Sequence, residues 1–311
     1  MDGLSDVITV ARAGRPRSAY VRWHAPWGQR FASVPGSVGF QVILEGHCRL
    51  LSPHAAPVRL EAGDVLFLPH GSGHTLADSP ATAVAAPACS PDDAELPGPY
   101  ASDSVDRLGR GGPATVVLCG AYRLGPSRTH PLLLTLPDLI HLPAGQDRHP
   151  ELHAAVRLLT AEVGNPRLST SVTIPALLDT LLMYNLRIWL AQQPAPDTPT
   201  GWAAALNDPA VTAALHAIHR DPAAPWTVAK LAAEAGLSRA TFARRFTSMI
   251  GQPPLGYLTW WRLTAAARLL QATEAPLRSI AAQVGYASEF AFANAFKRTH
   301  GLAPSTYRRR N

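Results

Sequence analysis

At 311 residues, with 47% hydrophobic and 16% charged residues, the chain is long and apolar enough for two domains with their own cores, which excludes a disordered protein. Three cysteines, Cys48, Cys89 and Cys119, lack framework spacing; they exclude a disulfide scaffold and suit a reducing cytoplasm. The net charge is +6, yet residues 206–311 hold 13 Lys and Arg against 5 Asp and Glu, so all the positive excess lies in the last third, where a polyanionic partner is expected.

The N-terminus, "MDGLSDVITVARAGRPR", has no basic start followed by an apolar run, and the most apolar later stretch is interrupted by Asp179, Asn185 and Arg187. Neither a signal peptide nor a membrane partner is expected. Residues 1–145 carry short apolar runs separated by Gly and Pro, such as "FQVILEGHCRLL", "VRLEAGDVLFLPHGSGHTL" and "ATVVLCGAYRL", and this spacing predicts a small β-barrel or sandwich.

Within that region "GDVLFLPHGSGH" fits Gly-x5-Pro-x-Gly-x2-His, from Gly63 through Pro69 and Gly71 to His74. Gly63 and Asp64 suit a turn into a strand, Pro69 and Gly71 a turn out of it. The pattern resembles the second motif of the cupins, which implies a jelly-roll-like barrel with His74 in its mouth. A cupin's other motif would add histidines and a carboxylate to hold a metal. Here Gln41 stands where a histidine could be, and the only nearby imidazole is His47. The incomplete ligand set argues against a cupin oxygenase, although a metal ion in this domain stays open as a cofactor.

From about Pro150 the period changes. "HPELHAAVRLLTAEVG" and "IPALLDTLLMYNLRIWLAQQ" place apolar residues three and four apart, which predicts helices over a segment of 146–192 that either dimerises or packs on the barrel. "QQPAPDTPTG", with three prolines in ten residues, reads as a linker, placed at 193–207.

The last module, 208–311, contains "LAAEAGLSRATFARRF". Gly236 is a natural helix C-cap and Ser238 a natural N-cap, so the stretch is two helices joined by a turn. Ala232, four before the glycine, permits a close crossing; Phe242 and Phe246 face one way, Arg239, Ala240, Ala243 and Arg244 the other. The pattern recurs after the intervening helix "PLGYLTWWRLTAAARLLQAT", with Ala281, Gly285, Ser288 and the Phe292/Phe296 pair. With a closing "GLAPSTYR", the module resembles the tandem helix-turn-helix domain of AraC/XylS-type bacterial transcription regulators. The resemblance implies two recognition helices in successive major-groove segments, about one turn or roughly 34 Å apart.

By position in that resemblance, the base-facing residues are Arg239, Ala240, Ala243 and Arg244 in the first unit and Glu289, Phe290, Ala291 and Asn294 in the second. Ser288 starts the second recognition helix. Arginine pairs bidentately with guanine and asparagine with adenine, so Arg244 and Asn294 lead as base readers. Arg239 and Arg245 suit phosphate contacts ahead of base contacts, and Lys297 and the arginines at 308–310 suit either phosphate contact or a solvated surface.

"APWGQRF" and the Cys119–Gly120 pair further resemble the cupin sensor of a subgroup of these regulators. That resemblance implies an effector, a small molecule, metal or redox signal, with His24, Gln41, His47, His74 and Cys119 as candidate residues, and RNA polymerase as a partner. The expected protein is a cytoplasmic, homodimeric, sequence-specific DNA-binding regulator, not an enzyme, with activation and repression both open. The rivals are a metal-dependent cupin enzyme tethered to DNA and a regulator governed only by a partner protein.

Overall fold

A computed structural model describes residues 15–52, 55–89, 105–106, 111–123, 130–143, 149–165, 167–193 and 200–310. The described chain forms two compact units: 15–123 with 136–192, and 130–135 with 193–310. The second unit therefore takes a short piece of chain from within the N-terminal region.

The first unit is built on two sheets. One holds β1 (Arg15–His24), β3 (Ser37–Glu45), β6 (Val65–Leu68), β9 (Val105–Asp106), β10 (Ala114–Arg123) and β11 (Ile140–Leu142), in the order β11-β6-β3-β10-β1-β9. The other holds β2 (Gly28–Phe31), β4 (His47–Ser52), β5 (Ala55–Glu61), β7 (His74–Ala77) and β8 (Ala85–Cys89), in the order β5-β4-β7-β2-β8. Pairing is antiparallel except at β1–β9 and β2–β8.

One face of each sheet meets the other. Val21, Trp23, Ile43, Leu66 and Val117 from the first pack against Cys48, Leu50, Leu60 and Leu76 from the second. No ladder among the described residues joins the sheets, so the jelly-roll-like expectation takes the form of an open two-sheet sandwich. β3 is buried along most of its length on both faces, which is why it reads as a continuous apolar run rather than an alternating one.

The motif that predicted β6 works as its residues suggested. Gly63 has φ 96° and Gly71 φ 63°, so both turns use the left-handed region. A Cβ on Gly71 would lie 2.2 Å from the Val34 carbonyl, so the backbones approach where only glycine fits. Asp64 Oδ2 accepts from the Glu61 backbone N–H and pairs with His141 Nε2 at 2.9 Å, tying β11 to this turn.

The described residues of this unit also form two helices, α2 (Pro150–Gly164) and α3 (Thr170–Gln192), which pack on each other. They bury Leu152, Val156, Leu159, Ile174, Leu178, Leu181 and Leu186. Leu158, Leu168 and Val172 stay exposed at 60%, 97% and 70%.

The second unit is all helical among its described residues. It comprises α1 (Pro131–Leu134), α4 (Gly201–Asn207), α5 (Pro209–Arg220), α6 (Val228–Glu234), α7 (Arg239–Ile250), α8 (Pro254–Ala272), α9 (Leu277–Gln283), α10 (Glu289–His300) and α11 (Pro304–Arg310). The linker expected over 193–207 is helical from Gly201 on. α4 buries Trp202 and Ala205, so the apolar payload of a short sequence outweighs the prolines before it. No described helix is long and apolar enough to cross a membrane.

Candidate functional site

α6, the turn at Gly236 and α7 are closed by a repeated set of bonds. The Gly236 N–H donates to the Ala233 carbonyl at 3.0 Å and the Leu237 N–H to the Ala232 carbonyl at 2.9 Å. Gly285 and Tyr286 do the same with Ala282 and Ala281, at 3.1 and 2.9 Å. This is the helix-ending motif in which a left-handed glycine lets the chain satisfy the last carbonyls, and the two glycines have φ of 66° and 82°. Ser238 then caps α7 by accepting from the Thr241 N–H, and Ser288 caps α10 by accepting from the Ala291 N–H.

The buried pairs that orient the second helices also match. Phe242 and Phe246 stand 5.5 Å apart between ring centroids, Phe292 and Phe296 5.6 Å, and all four are fully buried. With those faces inward, Arg239, Ala240, Arg244 and Arg245 are exposed on α7, while Ala243 is half-buried. On α10, Glu289, Phe290, Ala291, Asn294 and Lys297 are exposed beyond the exposed cap Ser288, Phe290 at 78%.

Charge divides the two faces. α7 presents Arg239 and Arg244. α10 begins with acidic Glu289 beside the apolar Phe290, and its cations, Lys297 and Arg298, lie in the last turn, where they also complement the helix dipole.

Among the described residues of the unit, three arginines are engaged within it. Arg245 forms an ion pair with Asp208, which is buried and caps α5 through the Val211 N–H at 2.9 Å. Arg262 on α8 donates from Nε to the Pro222 carbonyl at 2.7 Å and from Nη2 to the Ala224 carbonyl at 2.9 Å. Arg308 donates to the Ala275 carbonyl at 2.6 Å, while Arg309 is exposed. The "GLAPSTYR" motif becomes legible here: Gly301 caps α10, Pro304 opens α11, and Tyr307 packs edge-on to Phe296 at 5.1 Å.

Between the two sheets of the other unit the candidates separate. Gln41 and His74 come together across the sandwich, with Gln41 Nε2 2.7 Å from His74 Nε2. Cys119 is the register partner of Gln41 on β10 and packs, like Phe31, against the inter-sheet core. The neighbouring Gly120 explains the Cys-Gly pair, because a Cβ there would lie 2.3 Å from the Phe40 ring. His24 and His47 lie apart from this group. His24 Nδ1 sits 3.3 Å from the Gly112 carbonyl, and His47 is exposed at the start of β4.

His74 stacks on Phe31, at 4.7 Å between centroids and 5° between planes. Its Nδ1 lies 3.2 Å from the Ser72 carbonyl, which requires the proton on Nδ1 and leaves Nε2 to accept from Gln41. Burial pushes the imidazole down to about 4, the Ser72 carbonyl opposing only part of that shift, so it is neutral. Cys48 is buried in the same core, and desolvation, with Asp64 and Glu61 nearby, pushes its thiol up to about 12; it is an inert packing residue. Neither Cys48 nor Cys119 is in a disulfide, and the side chain of Cys89 lies outside the described residues. No group of three His, Cys, Asp or Glu side chains suited to a metal ion occurs among the described residues.

Sequence reading missed His130. Its ring is fully buried, 4.9 Å from Trp202 and 5.3 Å from Trp260 between centroids, and its Nδ1 caps α1 by accepting from the Leu132 N–H at 3.1 Å. A four-residue helix has no period to recognise, so no local signal marked it.

Comparison with known proteins agrees with both geometries. A model of the cupin family matches residues 2–191, and one of the helix-turn-helix domain matches residues 231–310. Over 310 residues the chain is 36% identical to a protein of Streptomyces lividans described as an AraC-like transcription regulator, covering 99% of this chain and 98% of that one. The chain belongs to the AraC-like transcription regulators. A second such protein, from Streptomyces antibioticus, is 34% identical over 310 residues and covers 99% of both chains. The HTH-type transcriptional regulator AlkR of Acinetobacter baylyi is 28% identical over 313 residues, covering the whole of each chain. This regulator is accordingly a DNA-binding protein of that family, with a cupin-type N-terminal part, and the relatives are named as regulators rather than as enzymes.

Proposed function

We propose that the regulator reads double-stranded DNA with α7 and α10 together and that its inter-sheet site senses the signal controlling it. The observation that carries the first half is the repetition itself. Two turns with the same hydrogen bonds and the same buried phenylalanine pairs each leave one helix face exposed, in a region of charge +8. Arg244 and Asn294 are the leading base readers, Arg239 and Lys297 phosphate contacts. Ala240, Ala243, Glu289, Phe290 and Ala291 complete the two faces, Phe290 and Ala291 by apolar contact of the kind a thymine methyl offers. Arg245 contributes to the protein–DNA contact only as far as its pairing with Asp208 allows.

Gln41, His74 and Cys119 form the effector site, and His24 and His47 stand outside it. The effector is a small molecule, a metal ion or an oxidant. The exposed Leu158 on α2, Val172 on α3 and Leu168 in the turn between them support this helix pair as a homodimer contact, and a cytoplasmic regulator of this family would work on RNA polymerase. The reader runs from Gly201, earlier than the proline-rich composition suggests. Mapping of bound DNA across the genome tests the reading: a recurrent sequence upstream of a few genes is expected, and scattered binding without a shared sequence would refute it. Reporter expression from such a site under candidate metabolites, metal ions and oxidants tests the sensor, which His74→Ala should silence. Cys119→Ser should silence it only if the signal is an oxidant.

A further inference from the structure

At the row formed by Gln41 the interior of the sandwich is not sealed. Leu66, Gln41, Cys119 and Ala19 are cross-strand register partners on β6, β3, β10 and β1. Phe31 and His74, themselves partners, belong to the opposing sheet. Ala19, Cys119, Phe31 and His74 are all half-buried, whereas Val117 and Leu76, two residues further along the strands of Cys119 and His74, are fully buried. Solvent thus reaches inner-face side chains at this end and stops there.

The polar groups at this opening are fixed in sense. The Ser72 carbonyl can only accept, so Nδ1 of His74 carries the proton and Nε2 does not. Nε2 must therefore receive the amide N–H of Gln41, which forces the amide oxygen, Oε1, to the other side. That oxygen is buried and has no hydrogen-bond partner, and Gln41 as a whole is 4% exposed. A buried acceptor left without a donor costs free energy unless something arrives to satisfy it.

We infer that this opening binds an uncharged organic molecule with an apolar body and one O–H or N–H group, which donates to Oε1 of Gln41 while the body lies against Phe31 and Ala19. The inference rests on the reading of the inter-sheet site as the sensor and names the ligand chemistry that reading left open. The lining explains the selection. Among the described side chains of this lining there is no Lys, Arg, Asp or Glu to serve as a counter-charge for an anion or a cation. His74 supplies none either, because burial holds it neutral. A metal would need the Nε2 lone pair that Gln41 already occupies.

The test uses full-length protein and three probe triplets that share a body: phenol, toluene and benzoate; cyclohexanol, methylcyclohexane and cyclohexanecarboxylate; 1-hexanol, hexane and hexanoate. Binding is measured by titration calorimetry and by ligand-observed NMR, with zinc chloride as a separate arm. In at least one triplet the alcohol should bind about fivefold to tenfold more tightly than its hydrocarbon, the worth of one hydrogen bond, and the carboxylate more weakly than either. Gln41→Leu should erase the alcohol's advantage; if that variant does not fold, the ranking by the wild-type protein decides alone. A hydrocarbon or carboxylate that matches the alcohol in every triplet overturns the inference, as does an advantage that survives Gln41→Leu. Carboxylate or zinc binding that His74→Ala abolishes would overturn it while sparing the sensor reading. No binding in any arm would count against both.

Discussion

Asp208 holds Arg245 from 37 positions away in sequence, and with the same carboxylate it caps α5. One buried side chain therefore fixes the start of a helix and removes an arginine from the list of wholly free cations on α7. Asp208→Ala should cost about 2 kcal/mol, since an N-cap is worth about 1 kcal/mol and the loss of a hydrogen-bonded partner to a half-exposed charged group adds a comparable amount. Urea denaturation followed by circular dichroism measures it, and a cost below half that figure would mean that the pair is solvated in practice.

Arg244, by contrast, is exposed and lies on the side away from Phe242 and Phe246. Arg244→Ala should change fold stability by less than about 0.5 kcal/mol. It should weaken binding to a mapped operator by about 1–3 kcal/mol and relax preference at one base pair. Titration against the operator and its single-base variants checks this; uniform weakening at every variant would reassign Arg244 to a phosphate.

The two turn glycines should not tolerate alanine equally. Gly236 needs only its left-handed backbone, worth about 1–2 kcal/mol to an L residue, because nothing lies within 4 Å of where a Cβ would be. Gly285 needs the same conformation and also space: its Cβ would sit 2.7 Å from the Arg262 guanidinium and 2.9 Å from the Ala223 Cα. Gly285→Ala should thus be the more destabilising of the two in thermal melts, and equal costs would mean that both Arg262 and the Ala223 backbone give way freely.

Two buried imidazoles set a pH dependence. His74 is pushed down to about 4 by burial, and His130 to about 3 by burial first and by the neighbouring His219 second, both from an ordinary value of 6.5. Since the unfolded chain takes up those protons first, stability is full above about pH 6.5 and falls as the pH drops towards 4 and 3. The melting midpoint should therefore fall between pH 7.5 and pH 5. His74→Phe, which keeps an aromatic ring on Phe31, should lessen the fall. A flat profile in the wild-type protein would show that the unfolded chain gains no protons over the folded one.

The sequence disclosed what depends on local backbone chemistry. Gly236 with Ser238 and Gly285 with Ser288 marked both turns, and the spacing from Gly63 to His74 marked a strand with a histidine after it. The meeting of Gln41 with His74 was legible only through the gap in a resemblance, where a glutamine stood in a histidine's place. Contacts between distant segments were not legible. Nothing near Asp208 points to Arg245, and nothing near His130 points to Trp202 and Trp260. α4 hid behind prolines because seven residues are too few to show a period. The separation into two sheets rather than one closed barrel depends on which strand edges pair, a choice made by tertiary packing rather than by any single strand.

The central claim is that both exposed faces, on α7 and α10, read one DNA duplex. Hydroxyl-radical footprinting of the full-length protein on a mapped operator tests it most directly, with Asn294→Ala and Arg244→Ala alongside. Each protein subunit should give two protected patches on one face of the duplex, about one helical turn or roughly 34 Å apart. Each substitution should weaken a different patch. A single patch per subunit, untouched by Asn294→Ala, would contradict the account and leave α10 as a packing element.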